Sequence, residues 1–247
     1  MKVKKYFGWL RDLKAFRSGK LFVKRMQGRE LWLKPELRVP LHSIGFGDFC
    51  PDGLNSASVV YSLGVGDEIN FDLAFMSAFG SNIYAFDPTP ISIELVEQMS
   101  PPDGFKFYPW AVTGQDETIR FYPRKMPDGS ISKVQYTIVA GEGATEQAVD
   151  VPGYTIATIT QKLGHKSIDL MKMNIEGAEY DVLDSLLVAN ILPIQLIIEF
   201  HHRFANIGLV KTEQILKRLK ASGYKRISIS KSGRVISLLR QNDGGNQ

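Results

Sequence analysis

A single cysteine, Cys50, stands in 247 residues, which excludes an intramolecular disulfide and the disulfide-stapled classes of small secreted domain. With four histidines and no paired cysteines, a structural zinc site is not expected. No apolar run approaches the ~20 residues that span a bilayer, and the basic start is not followed by the apolar core of a signal peptide. Together these absences point to a cytoplasmic protein. No internal repeat is present. What is there is 44% apolar content, enough for one good core. We expect a basic N-terminal helix and turn-rich extension over residues 1–54, one main domain over 55–240 and a flexible tail over 241–247.

The net charge of +4 is unevenly spread. Residues 1–38 carry 12 Lys or Arg against 3 Asp or Glu, a net +9, which leaves 18 against 23, or −5, for the rest. An enzyme of nucleic acids would more often spread basic residues around its cleft, so no nucleic-acid partner is expected. Residues 3–17 place Val3, Phe7, Leu10, Leu13 and Phe16 along one side of a helix, with Lys4, Arg11, Lys14 and Arg17 elsewhere. That stripe suits docking on the domain, a homodimer contact or peripheral contact with an anionic membrane, and the first two are preferred.

The most informative stretch runs from Val59 to Pro90. Val59, Val60, Tyr61 and Leu63 read as a buried strand entering a tight turn at Gly64 and Gly66, followed by an apolar-periodic helix closed at Gly80. A second strand, Ile83 to Phe86, ends on Asp87. This is half of a nucleotide-binding strand-helix-strand unit, in which glycines let the backbone approach a ligand and an acid about 20 residues on accepts ribose hydroxyls. Gly66 to Asp87 is 21 positions. A dinucleotide fingerprint also needs a third glycine or alanine, where this chain has Ile69, and a helix N-terminus free to meet a pyrophosphate. Asp67 and Glu68 occupy that place. Two carboxylates repel a phosphate and suit a ligand carrying an ammonium and a sulfonium, which favours S-adenosylmethionine over NAD(P). A plain strand, turn and helix with a solvated acid remains open at this point.

Between Glu30 and Leu54, short apolar pieces broken by prolines and glycines suggest a small hairpin against the sheet, its tip at Phe46 to Cys50 rimming the ligand pocket. Ile91 to Met99 reads as a second helix and Phe105 to Val112 as a third strand. Trp110 and Ala111 lie near that strand's end, where an adenine or the core claims them. Glu117 to Tyr122 alternates as a strand, and the long polar stretch from Arg124 to Asp150 is expected to cover or shape an acceptor site. A helix follows over Tyr154 to Leu163. Within Ile168 to Leu187 a central strand gives way to a helix near Gly177, so Lys172, Asn174, Glu176 and Glu179 gather at the strand's C-terminal end, where open α/β sheets bind ligands. A structural ion pair between Lys172 and Glu176 or Glu179 is the competing reading. Leu196 to Phe200 is another buried strand, running into His201 and His202. One of these is a candidate general base, and both read equally as an inert, exposed pair. Helix Thr212 to Ala221 and a hairpin, Tyr224 to Ser230 with Arg234 to Leu239, close the chain.

An alternation of strands and helices ending in a hairpin looks like the seven-stranded class I methyltransferase sheet, whose last strand inserts antiparallel. The runs VVYSLGVGDEINFD, AFDPTP, KMNIEGAEYDVL and IIEFHHRF, in that order, resemble the FkbM family of S-adenosylmethionine-dependent methyltransferases, and particularly its methyltransferase-like branch, over roughly Asp48 to Leu239. The resemblance implies an α/β, Rossmann-like fold in which Gly64, Gly66 and Asp67 contact the methionine end of S-adenosylmethionine, Asp87 the ribose, and Trp110 and Ala111 the adenine. Two positions depart from the pattern. Ser62 stands where most class I enzymes carry an acid, and Asn174 where the family's K-x-D-x-E-G run has Asp. Both stay in the expected cofactor-binding set, and proton removal shifts to Glu176 or His201, with Lys172 holding the carboxylates. The implied activity is methylation of a hydroxyl on a small molecule or glycan. An NAD(P)-dependent oxidoreductase or epimerase and a non-catalytic module of the same fold are the alternatives. Glu176, Glu199 and His201 form too scattered a set to predict a metal, and none is expected.

Overall fold

The computed structural model describes residues 14–125, 129–137, 148–204 and 207–241. The described chain opens with helix α1 (Lys14–Met26) and a short hairpin, β1 (His42–Ile44) with β2 (Gly47–Phe49). Strand-helix repeats follow as β3 (Val60–Leu63), α2 (Asn70–Phe79), β4 (Ile83–Phe86), α3 (Pro90–Met99) and β5 (Phe105–Tyr108). A separate four-stranded sheet is built from β6 (Ala111–Val112), β7 (Glu117–Lys125), β8 (Ile131–Thr137) and β9 (Val149–Tyr154). The chain then returns through α4 (Ile156–Leu163), β10 (Leu170–Met173), α5 (Glu179–Val188), β11 (Gln195–Glu199), α6 (Gly208–Ala221), β12 (Tyr224–Ile229) and β13 (Val235–Arg240).

The main sheet has seven strands in the order β12-β13-β11-β10-β3-β4-β5. Every pairing is parallel except those of β13, which runs antiparallel to both neighbours. The expected Rossmann-like, seven-stranded arrangement with its reversed strand is therefore present. Strands β3 and β10 are buried along their whole length, which is why they read as nearly unbroken apolar runs: packing covers both faces of a parallel sheet. On one face Val60, Leu170 and Ile197 pack with Phe49, Phe71 and Phe75, and on the other Tyr61, Leu63 and Met171 pack with Ile159, Tyr180 and Leu183. Two polar residues interrupt these runs, Ser62 and Lys172, and they stand opposite each other in the β3-β10 register. Alternation places both on the α2 side.

Several expectations change. The strand expected over Phe105 to Val112 is two. Pro109 has no N–H for a ladder, the Trp110 N–H donates to the Tyr108 carbonyl at 2.8 Å, and Ala111–Val112 pair with β9 in the other sheet. The stretch from Arg124 to Asp150 is not one long connection, because β8 and the start of β9 pair antiparallel with β7. Residues 126–128 and 138–147 of the expected cover lie outside the described residues. So do Val3, Phe7, Leu10 and Leu13 of the N-terminal stripe, and the described helix continues well past Arg17 to Met26. Residues 242–247 of the tail are likewise outside.

The extension is knit into the domain rather than set apart from it. The Glu36 and Leu37 N–H groups donate to the Arg226 carbonyl at 2.7 and 3.1 Å. Cys50 exchanges two main-chain hydrogen bonds with the buried Gln195 side chain, at 2.9 and 2.8 Å. No helix among the described residues is long and apolar enough to cross a membrane.

Candidate active site

The C-terminal ends of β3, β10 and β11 lie side by side, and they carry the polar residues of the site. Gly64 leaves β3 at φ +83, and a Cβ there would lie 1.9 Å from the Asn174 carbonyl oxygen. The turn after β3 and the loop after β10 thus pack backbone against backbone, and only glycine fits. Gly66, at φ +67, has nothing within 4 Å of where its Cβ would be. Open backbone beside a strand end is a surface that a ligand can approach closely. Asp67 and Glu68 follow it and are exposed.

Asp87, at the tip of β4, is buried and engaged with its own chain. One oxygen accepts from the N–H groups of Val65 at 2.8 Å and Gly66 at 3.0 Å. The other accepts from the Thr89 N–H at 2.8 Å and hydroxyl at 2.6 Å. A carboxylate offers about four acceptor positions, and here the chain fills them. In this conformation Asp87 shapes the glycine turn, and meeting a ribose requires one of these donors to give way.

Beneath the turn lies a buried charge cluster. Lys172 Nζ donates to the Gly64 carbonyl oxygen and sits 5.0 Å from the centre of the Phe46 ring. Burial pulls the Lys172 amine below its ordinary range, opposed first by the charge of Asp72 and then by Asp87, Glu199 and Glu68. Burial likewise pushes the Asp72 carboxyl up, opposed by the Lys172 charge and the Ser62 hydroxyl. Lys172 thus fastens the glycine turn and feels the charge of Asp72 most, and, contrary to the expectation that it holds the carboxylates, no ion pair among the described residues joins it to Glu176 or Glu179. Ser62, expected at the cofactor, is fully buried in β3 within this cluster. Asp72 escaped the sequence reading, although its place on the apolar stripe of α2, with Phe75 and Phe79, is the pattern of a buried acid.

The loop from Asn174 to Ala178 is organised by Glu179, whose side chain is fully buried. Its Oε1 accepts from the N–H groups of Ile175 at 3.1 Å and Gly177 at 3.2 Å, and lies 2.8 Å from His201 Nδ1. A carboxylate oxygen gathering donors takes the ring proton on Nδ1 and leaves Nε2 as the accepting nitrogen. Glu176 Oε2 stands 3.7 Å from that Nε2. Glu176 is exposed and holds φ +51, a left-handed backbone uncommon outside glycine. Burial acts most strongly on His201 and lowers its pKa, but the Glu179 hydrogen bond and the charges of Glu179, Glu176 and Glu199 outweigh it, so the imidazole stands above its ordinary value. The Asn174 Oδ1 is buried without a partner.

Both histidines are buried, which removes the exposed-pair reading. His202 Nε2 comes within 2.7 Å of Glu30 Oε1, poorly aligned for a hydrogen bond, while Arg203 donates to Glu30 Oε2 through Nε at 3.0 Å and through Nη2. Glu199 pairs with Arg234 at 3.0 Å. Among the described residues no group of three or more His, Cys, Asp or Glu is placed to hold a metal ion. Trp110 is half-buried, stacked on Phe86 at 6.2 Å between ring centres and edge-on to Tyr154 at 5.2 Å. Ala111 is buried in β6. The Asp87 N–H donates to the Tyr108 carbonyl at 3.2 Å, which puts Trp110 next to the Asp87 corner.

Residues 52–226 match the Methyltransferase FkbM domain, which is most of the chain. This protein belongs to the FkbM methyltransferase family. FkbM proteins are S-adenosylmethionine-dependent methyltransferases, in keeping with the sheet described above. The chain is similar in structure to methyltransferase FkbM from Methylobacillus flagellatus KT, with 11% identity and a TM-score of 0.47 over 75% of this chain and 44% of that one. It thus spans less than half the length of that relative. It is also similar to the Methanococcus jannaschii fibrillarin pre-rRNA processing protein (11% identity, TM-score 0.45, 85% of this chain and 86% of that one). A third likeness is to a TehB-like SAM-dependent methyltransferase from Corynebacterium glutamicum ATCC 13032 Kitasato (12% identity, TM-score 0.38, 76% and 82%). No curated protein matches the sequence.

Proposed function

We propose that this FkbM protein binds S-adenosylmethionine and transfers its methyl group to a hydroxyl on a small molecule or glycan. The observation that carries the reading is the His201 imidazole, oriented from one side by Glu179 and presenting Nε2 beside Glu176, two strands along the sheet from the glycine turn, whose Gly66 leaves its side-chain space open.

The residues present fit the donor. Gly66 leaves open the space a side chain would fill, the exposed Asp67 and Glu68 suit an ammonium and a sulfonium, and the unpartnered Asn174 Oδ1 is an acceptor for that ammonium. Gly64 and Asp87 frame the turn, with Trp110 and Ala111 at the adenine corner. When bound, S-adenosylmethionine supplies an electrophilic methyl on sulfur, open to in-line attack by an oxygen. The chain's own work is to align and to move one proton. His201 Nε2 takes the acceptor's hydroxyl proton while Glu179 steadies Nδ1, and Glu176 neutralises the imidazolium that forms. Lys172, through the Gly64 carbonyl, keeps the turn in place, and such alignment is worth about 7–11 kcal/mol of barrier in favourable cases.

Calorimetric titration with S-adenosylhomocysteine and with NADH, followed by turnover on a panel of hydroxyl, amine and carboxyl acceptors, tests this reading. Binding of S-adenosylhomocysteine but not NADH, and turnover on hydroxyls that disappears in His201→Ala, is the expected result. Turnover on amines alone rules out the oxygen-directed reading. Cofactor binding without turnover on any acceptor makes the protein a binding module.

A further inference from the structure

Among the described residues, helix α1 leaves an apolar face uncovered. Phe22, Val23 and Met26 are 55%, 51% and 68% exposed, and Trp32, 59% exposed, meets Phe22 edge-on at 5.7 Å between ring centres. The opposite side of the helix is anchored. A Cβ at Gly233 would lie 3.4 Å from Leu21 Cδ1, so the helix packs on the β12-β13 turn. Arg25 Nε donates to the Leu31 carbonyl at 2.8 Å, and the buried Glu30, four residues past the helix, is gripped by Arg203. Docking on the domain therefore accounts for the Leu21 side only. Four large apolar side chains remain held outward on a fixed support, the kind of patch that marks an interaction surface.

Charge selects the occupant. From Lys14 to Arg29 the sequence has six Lys or Arg and no acid, and the Arg25 guanidinium lies over the Trp32 ring at 5.4 Å. A second copy meeting it through the same face would bring the same cations against these. Residues 1–13 carry charge of the same sign, Lys2, Lys4, Lys5 and Arg11 against Asp12, so they offer the cations of α1 no counter-charge. Nucleic acid would satisfy the cations and the two aromatic rings but gives Val23 and Met26 nothing to bury against. An anionic bilayer surface answers both features, because apolar side chains enter the boundary of the acyl chains while Lys and Arg meet the headgroups. We propose that α1 and Trp32 dock this protein onto membranes carrying anionic lipid, with the helix lying in the interface.

The test is sedimentation of the 247-residue chain with phosphatidylcholine vesicles, with and without phosphatidylglycerol. At low salt the protein is expected to bind the phosphatidylglycerol vesicles at least about tenfold more tightly than the neutral ones, and to leave them in high salt. Phe22→Asp combined with Met26→Asp is expected to weaken that binding by about tenfold or more. Both positions are exposed, and an unchanged thermal melt confirms that the variant is folded. Failure to bind phosphatidylglycerol vesicles at low salt overturns the proposal, as does binding that survives the double substitution. It is equally overturned if single-stranded RNA binds with the same dependence on Phe22 and Met26 and strips the protein from vesicles. A dimer that the double substitution splits, without vesicle binding, assigns the face to a second copy instead.

Discussion

The Glu179 carboxylate and the His201 imidazole stand 2.8 Å apart, and the carboxylate oxygen that faces the ring also gathers the N–H groups of Ile175 and Gly177. One buried side chain thus closes the loop after β10 and orients the ring that follows β11. The two functions are inseparable by geometry and separable by experiment.

With its pKa raised, His201 loses its proton only above its ordinary value of about 6.5, so methyl transfer is expected to rise through that higher window. Stability runs the opposite way. A group whose folded pKa is raised contributes fully below the unfolded value, and the contribution is lost as pH rises through the folded one. Glu179→Gln removes the charge that holds the ring up, so the acid limb of the pH–rate profile is expected to move to lower pH. His201→Ala should lower kcat by about 10²–10⁴-fold, with little change in S-adenosylhomocysteine binding measured by calorimetry.

Lys172 and Asp72 test the buried cluster. Lys172→Met strands the Asp72 carboxyl beneath the turn and frees the Gly64 carbonyl, at an expected cost of about 3–5 kcal/mol in urea denaturation. Adding Asp72→Leu removes the stranded charge and should recover much of the loss, a coupling that a double-mutant cycle measures directly.

The two glycines of the turn are predicted to fail differently. Gly64→Ala drives a Cβ into the Asn174 carbonyl and is expected to lower the melting temperature sharply. Gly66→Ala meets open space, so its folding cost is only about 1–2 kcal/mol of left-handed strain, and the larger effect should appear as weakened S-adenosylhomocysteine binding.

Glu30 ties the segment after α1 to the residues following His201. Burial raises its carboxyl pKa, but the close approach of the His202 ring and the hydrogen bonds and charge of Arg203 outweigh that and hold it below the ordinary range. Its contribution is therefore present above about pH 4.3 and lost as pH falls through the lowered value. Glu30→Gln is expected to cost roughly 2 kcal/mol at neutral pH, read as a shift in denaturation midpoint that narrows in acid.

Much of the site was legible because its elements are short, buried and punctuated. Val60 to Leu63 and Leu170 to Met173 announce themselves as strands through apolar residues on both faces, and Gly64 and Gly80 mark where the chain turns and where α2 stops. His201 could be named as a candidate, but Glu179 could be recognised as its partner only once β10 and β11 were neighbours. Asp72 was missed because an acid within a helix reads as solvated until the sheet covers it. The Phe105 to Val112 strand was misjudged because apolar content continues through Pro109 while the hydrogen-bond ladder does not.

By itself, then, the sequence determined the strands and helices of the main sheet, the glycine turn with its following acids, and the family, since each is a local pattern of periodicity, punctuation or motif. Only the tertiary structure decided which side chains share a charge. Lys172 answers to Asp72 rather than to Glu176, Asp87 spends its oxygens on the turn it was expected to look past, and α1 keeps Phe22 and Met26 in solvent. The physical reason is that burial and hydrogen bonding act through distances of a few ångströms, and residues a hundred positions apart are brought that close by the packing of the sheet alone.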